Sequence, residues 1–304
     1  MSPTAMSTLP STPPSSALPS GPTSAACLRT VTLAACALLL QACGGGGSGY
    51  SGAPVSTTAS VSAVAANRLS YGRLSTFTIT GTNLATGISF GATGCDGVTV
   101  LAGGSATQQT VTCTPNKALS VRLAVNAGGA EVYSSTQAVP KPRVTLITSL
   151  GSIVVELEPA STPVTVDNFL AYVNAGFYSG TIFHRVIAGF VVQGGGFTSA
   201  GALPAGLRAA IALESNRDQS NLRGTIAMAR TDVFDSATSQ FFFNSVNNAF
   251  LDYASPASPG YAVFGHVVGA TDLATIDVIS ARPTNLATDK PTTDIVLQSA
   301  TQTL

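Results

Sequence analysis

From Phe183 to Thr198 the chain reads Phe-His-Arg-Val-Ile-Ala-Gly-Phe-Val-Val-Gln-Gly-Gly-Gly-Phe-Thr. This run sets one guanidinium, Arg185, and one side-chain amide, Gln193, among apolar side chains, with no nucleophile or metal-binding cluster beside them. Such a surface suits a neutral substrate whose carbonyl takes hydrogen bonds and whose ring takes an apolar seat. Gly194 to Gly196 do not make a phosphate loop, because no Lys-Ser/Thr pair follows and the context is a strand. A lone arginine is usually a surface charge and a phenylalanine-rich stretch is usually core, so the weight falls on further blocks: Gly224-Thr-Ile-Ala-Met-Ala-Arg230, Ser239-Gln-Phe-Phe-Phe-Asn244 and Tyr261-Ala-Val-Phe-Gly265.

Together these blocks resemble the cyclophilin family of peptidyl-prolyl cis/trans isomerases, most closely its bacterial periplasmic branch, over nearly all of Val144 to Ala300. The resemblance implies that Arg185 is the catalytic arginine and that Gln193 hydrogen-bonds the substrate backbone. It implies a proline pocket of Phe190, Val191, Phe242 and Leu251, with Ala229 and the main chain of Arg230 at the edge that pairs with an extended peptide. Phe250 and Tyr261 complete the implied pocket; Phe250 stands where many eukaryotic members have tryptophan and Tyr261 where they have histidine, and the loss of the indole N–H is expected to weaken cyclosporin binding. Arg230 replaces asparagine at the groove edge, which is expected to favour acidic neighbours of proline. His184 and His266 are assigned to packing and local hydrogen bonding. No cofactor and no metal are implied, and the partners expected are proline-containing unfolded or extended polypeptides.

The elements that must position these residues are partly legible. Arg143 to Glu158 reads as two strands turning at Ser149-Leu-Gly-Ser152, with Val144, Leu146 and Thr148 on one face. Pro163 opens a helix in which Val166, Phe169, Leu170 and Val173 recur at helical spacing, and Gly176 stops it. A second helix is predicted near Thr271 with Leu273, Ile276 and Ile279 inward, and a final strand at Asp294-Ile-Val-Leu297. The resemblance implies a mainly β fold for residues 143–304, a closed eight-stranded antiparallel barrel capped by two helices. Before the boundary at Pro140-Lys-Pro142, residues 55–140 alternate apolar and polar side chains at Thr76–Thr80, Gln108–Thr112 and Ser120–Val125, which predicts a β-sandwich. Phe77-Thr-Ile-Thr-Gly-Thr-Asn-Leu84 resembles the immunoglobulin-like modules of extracytoplasmic proteins, and nothing in this segment groups into a catalytic set, so it reads as a spacer or adaptor.

Charge and cysteines bear on location. The 304 residues carry 14 Lys and Arg against 14 Asp and Glu, and from Arg143 onward 8 against 12, so there is no basic stripe for nucleic acid. Val31 to Leu40 is an apolar run too short to span a bilayer comfortably, preceded by Arg29, with the size of a signal-peptide core. Leu40-Gln-Ala-Cys43-Gly44 resembles the bacterial lipoprotein cleavage box. Residues 1–43 are then leader and signal peptide, and Cys43 is the lipidated residue that ties the protein to a membrane. Residues 44–54 form a Gly/Ser tether with a reach of roughly 17 Å. Gly44 in place of aspartate favours the outer membrane of a bacterial envelope, facing the periplasm. Cys95 and Cys113 follow the export signal, in a compartment where disulfides persist. A bond between them, two free buried thiols and a metal pair are the alternatives, the last disfavoured by the lack of a nearby histidine.

Overall fold

Alternating side chains in the N-terminal segment fold into two facing antiparallel sheets. The computed structural model describes residues 58–116, 119–216 and 218–304; the leader and signal peptide, Cys43 and the tether all lie outside the described residues. The first sheet runs β1-β2-β5-β4, from β1 (Ser60–Asn67), β2 (Ser75–Thr82), β4 (Cys95–Val100) and β5 (Gln108–Pro115). The second runs β3-β6-β7, from β3 (Ile88–Thr93), β6 (Ser120–Ala127) and β7 (Ala130–Ala138). Phe77, Ile79, Val111, Val121, Leu123 and Val125 are fully buried, so the period of two read from the sequence marks the faces that meet. A disulfide joins Cys95 of β4 to Cys113 of β5.

The chain continues into β8 (Arg143–Thr148) and β9 (Gly151–Leu157), paired as a tight hairpin with Val144, Leu146 and Thr148 buried. Helix α1 (Pro163–Asn174) buries Val166, Phe169, Leu170 and Val173, the stripe its periodicity predicts. It ends where Gly176 takes φ 69°, with the Gly176 N–H donating to the Val173 carbonyl and the Phe177 N–H to that of Tyr172. The Phe177 ring then packs on Tyr172 at 4.5 Å between centroids, the apolar contact that accompanies this cap.

The remaining elements are β10 (Thr181–Ile182), β11 (Arg185–Val186), β12 (Val191–Gly194), β13 (Phe197–Thr198), β14 (Thr225–Met228), β15 (Phe241–Asn244), a 3-10 turn (Ala249–Leu251), β16 (Val263–Val267), α2 (Ala270–Ser280) and β17 (Val296–Gln302). They form one sheet with β8 and β9, in the order β11-β12-β15-β14-β16-β9-β8-β17-β10-β13. Its two ends belong together: β10 and β11 are halves of one bent strand, β12 and β13 halves of another, and the two strands pair along both halves. The sheet is therefore a closed barrel of eight bent strands, with its predicted helices α1 and α2. Gly195 sits at the bend of the second strand with φ 79°, and a Cβ there would come within 2.9 Å of both the Phe241 and Tyr178 rings. The last strand differs from expectation at both ends, starting at Val296 and not at Asp294. It runs to Gln302, beyond the apolar signal at 295–297, because Ser299 to Gln302 pair with β8.

Sandwich and barrel belong to one compact unit. They meet at the turn between β1 and β2, where Tyr71 is buried and its hydroxyl donates to Asp167 of α1 at 2.7 Å.

Candidate active site

Two rows of directly opposed residues cross β11, β12, β15, β14 and β16. One row, Val186, Val192, Phe243, Ile226 and Gly265, points into the barrel and is buried in its core. The next row, Arg185, Gln193, Phe242, Ala227 and Val263, points outward, since directly opposed residues of an antiparallel pair share a face. Phe241 and Phe243 thus build the aromatic core against Phe169, Tyr178 and Phe183, while Phe242 between them leaves by the other side.

On that outer face Val191, Ala227, Phe242 and Val263 form an apolar cluster separate from the main core, with Phe190, Ala229, Leu251 and Tyr261 packed against it. A groove of about 270 Å³ opens over the cluster, and nine of the ten predicted substrate-contacting residues line it: Arg185, Phe190, Val191, Gln193, Ala229, Arg230, Phe242, Leu251 and Tyr261. Phe250 does not. It is 73% exposed and stacks on Phe190 at 5.7 Å, which makes it part of the rim.

The polar residues are held in distinct ways. Arg185 Nε lies 3.5 Å from an Asp289 carboxylate oxygen. The Gln193 amide N–H donates to Gln240 Oε1 at 3.0 Å, which fixes the amide. Arg230 donates from Nε to the Gly260 carbonyl at 3.0 Å and from Nη1 to the Thr231 carbonyl at 2.8 Å, while its guanidinium covers the Tyr261 ring at 4.8 Å. It is a wall of the groove as much as a charge. Gly260 has φ 64°, and a Cβ there would meet the Leu251 carbonyl oxygen at 2.6 Å, so the main chains of the Leu251 and Tyr261 segments approach closely.

Three buried asparagines that sequence reasoning missed hold the apolar wall. Asn248 donates to the Phe190 carbonyl at 3.0 Å and to Asn244 Oδ1 at 2.8 Å. Asn244 donates to Asn221 Oδ1 at 3.2 Å, and Asn221 donates to the Leu251 carbonyl at 3.2 Å and to Asp252 at 2.8 Å. The Tyr261 N–H also donates to the Leu251 carbonyl, at 3.0 Å. The sequence signal was present, polar residues in the run Asn244-Ser-Val-Asn-Asn248 directly after an apolar strand. Asp289 and Gln240 gave no comparable signal.

The histidines stand apart from the groove. His184 packs edge-on against Phe197 at 4.8 Å, and burial holds its imidazole below the usual histidine range, with the nearby Arg185 charge adding to the effect. His266 lies 3.6 Å from Glu158, whose carboxylate is already paired with Lys141 at 2.7 Å.

An eight-stranded barrel that carries a guanidinium, an amide and an apolar seat on its outer wall defines the class of site. The family model described as cyclophilin type peptidyl-prolyl cis-trans isomerase/CLD matches residues 143–302, and the chain belongs to that family. It is 49% identical over 158 residues to peptidyl-prolyl cis-trans isomerase A of Dickeya dadantii, covering 52% of this chain and 82% of that protein. It is 42% identical over 161 residues to peptidyl-prolyl cis-trans isomerase B of Escherichia coli strain K12, covering 52% of this chain and 98% of that protein. Among solved structures, a cyclophilin type peptidyl-prolyl cis-trans isomerase of Cryptosporidium parvum matches at TM-score 0.45 and 24% identity, covering 54% of this chain and 98% of that one.

Proposed function

We propose that this chain accelerates rotation about Xaa-Pro bonds in exported polypeptides, working as a peptidyl-prolyl cis-trans isomerase. The observation that carries the reading is the outward row in which Arg185, Gln193 and Phe242 stand side by side. Rotation of a prolyl bond meets a barrier of about 20 kcal/mol because amide resonance stiffens the C–N bond. No bond has to be cleaved. The apolar cluster seats the proline ring, and the Gln193 amide holds the backbone on one side while the other side turns. At the twisted state the prolyl nitrogen becomes pyramidal and its lone pair leaves resonance. The Arg185 guanidinium then stabilises that lone pair more than it stabilises either planar form. The apolar surroundings lower the local dielectric and strengthen this interaction.

The place of action is part of the proposal. Cys43, in a sequence that resembles a lipoprotein cleavage box, is the lipid-bearing residue, and Gly44 favours the outer membrane. The N-terminal sandwich, with its resemblance to immunoglobulin-like modules, is the adaptor between tether and barrel.

A prolyl-peptide isomerisation assay on the protein and on Arg185→Ala tests the activity. Acceleration by the wild type and its loss in the variant are expected. A wild type that binds proline peptides without turnover turns the reading into a proline-segment-binding chaperone, and undiminished activity in Arg185→Ala removes the mechanism. Labelling with radioactive palmitate is expected to depend on Cys43, and an unlabelled wild type removes the anchor.

A further inference from the structure

The loop between α2 and β17 comes to Arg185 from the far end of the chain and is built to stay there. Thr292 N–H donates to the Pro283 carbonyl at 2.9 Å, Asn285 N–H to the Lys290 carbonyl at 2.8 Å, and Asp289 N–H to the Asn285 carbonyl at 2.8 Å. The loop is fastened to the catalytic strand by its own backbone, since the Val186 N–H donates to the Asp289 carbonyl at 2.8 Å. Asp289 sits at φ 56°, a left-handed conformation that aspartate and asparagine tolerate better than most residues. This pairing sets the Asp289 carboxylate 3.5 Å from Arg185 Nε. The neighbouring cation Lys290 is turned elsewhere, to Asp294 at 3.0 Å.

We propose that Asp289 is a positioning residue for Arg185: its carboxylate engages the Nε edge of the guanidinium and leaves the two terminal amino groups for the substrate. A guanidinium offers five N–H donors in a planar fork, so holding one edge sets the direction of the others. An arginine on a strand edge would otherwise sample several rotamers, and each rotamer that points away from the prolyl nitrogen is unproductive. Both side chains are about two-fifths exposed, at 39% and 40%, and an ion pair at that exposure adds little to stability. Any effect of Asp289 therefore belongs to the orientation of Arg185 and not to the fold.

The inference rests on the isomerase reading, and the test keeps the two apart. Exchange spectroscopy on a proline peptide separates the on-enzyme isomerisation rate from peptide affinity, for the wild type, Asp289→Asn, Arg185→Ala and the double variant. Asparagine keeps the side-chain shape and the left-handed backbone while it removes the charge. The on-enzyme rate is expected to fall about tenfold in Asp289→Asn with affinity within about twofold, and the same change in the Arg185→Ala background is expected to alter the residual rate by less than about twofold. An unchanged or faster rate, an equal loss without Arg185, or a loss of affinity alone overturns the role of Asp289. A wild type with no turnover removes the isomerase reading itself. A second measurement needs no variant: in the wild type the Arg185 Nε–H is expected to exchange with water more slowly than in an unstructured arginine. Exchange at the unstructured rate overturns the pairing.

Discussion

Arg185 lies directly opposite Gln193 in the β11–β12 pair, and the outward row continues through Phe242. Charge, amide and the Phe242 floor of the ring seat are thus set by the register of one sheet, while Phe190, Leu251 and Tyr261 close the seat from that sheet's connections. Arg185→Lys keeps the charge but loses the planar fork, and kcat/KM is expected to fall more than about tenfold. Gln193→Ala is expected to cost less. Because both groups act on one twisted state, the loss in the double variant is expected to fall short of the product of the single losses. Fully multiplicative losses in an isomerisation assay would show that the two side chains act independently.

Asn248 bonds both Phe190 and Asn244 from a buried position, 2% exposed. Asn248→Ala leaves buried acceptors with fewer donors, a loss of about 1–3 kcal/mol. The expected signature is a lower denaturant midpoint together with a raised KM, because the same bonds hold the Phe190 wall. A raised KM at unchanged stability would separate the pocket from the network.

What the sequence showed followed from how much each signal depends on register. Helix α1 was legible because Val166, Phe169, Leu170 and Val173 repeat at helical spacing without reference to any other element. In Phe241-Phe242-Phe243 the period of two says that the middle ring faces away from its neighbours, but only the pairing with β12 and β14 says which side is the core. The family resemblance supplied that choice. It placed Phe250 in the groove as well, where the structure sets it on the rim. Asp289 was invisible because its function depends on a loop docking by a main-chain bond to Val186, which no side-chain pattern records. The end of β17 was missed because Ser299 to Gln302 carry little apolar signal and are strand through pairing alone.

Acid is expected to weaken the fold through His184. Its Nδ1 is out of contact with solvent, and burial depresses its proton affinity, with the Ile182 backbone opposing that shift only in part. The unfolded chain therefore binds the proton more readily. This contribution to stability is full above the ordinary histidine value of 6.5 and is lost as pH falls through the lower folded value. Denaturant unfolding followed from neutral pH down to about 5 should show the loss. His184→Phe should flatten it, and an unchanged slope in the variant would place the effect in other groups.

The Cys95–Cys113 bond links neighbouring strands of the sandwich, away from the groove. In the chain-entropy model its reduction removes about 3 kcal/mol from the sandwich. Reductant is expected to lower the thermal midpoint while folded protein at low temperature keeps its isomerase rate. A rate that falls with reduction would mean that the sandwich supports the groove.

The Tyr71 contact predicts that sandwich and barrel unfold together. Its hydroxyl donates to Asp167 at 2.7 Å, and its carbonyl accepts from Gln302 Nε2 at 2.9 Å, so one residue touches both α1 and the last strand. Nearby, Arg73 donates to Asn174 at 3.2 Å. A single calorimetric transition is expected for the wild type and two separable ones for Tyr71→Ala; two transitions already in the wild type would remove the coupling. Tyr71→Phe, which loses only the hydroxyl, is expected to cost about 1–3 kcal/mol. Burial, and then the bond to Asp167, raise the Tyr71 ionisation well above the ordinary value of 10.0, so the ionised form is disfavoured in the fold. The resulting stability is full below that value and is lost as pH rises above it, because the unfolded chain releases the proton first. Tyr178, buried and raised in the same direction, adds a second alkaline loss that persists in Tyr71→Phe. Unfolding free energies measured upward from about pH 9 should therefore fall less steeply in Tyr71→Phe than in the wild type, and equal slopes would assign the alkaline loss to Tyr178 and other groups.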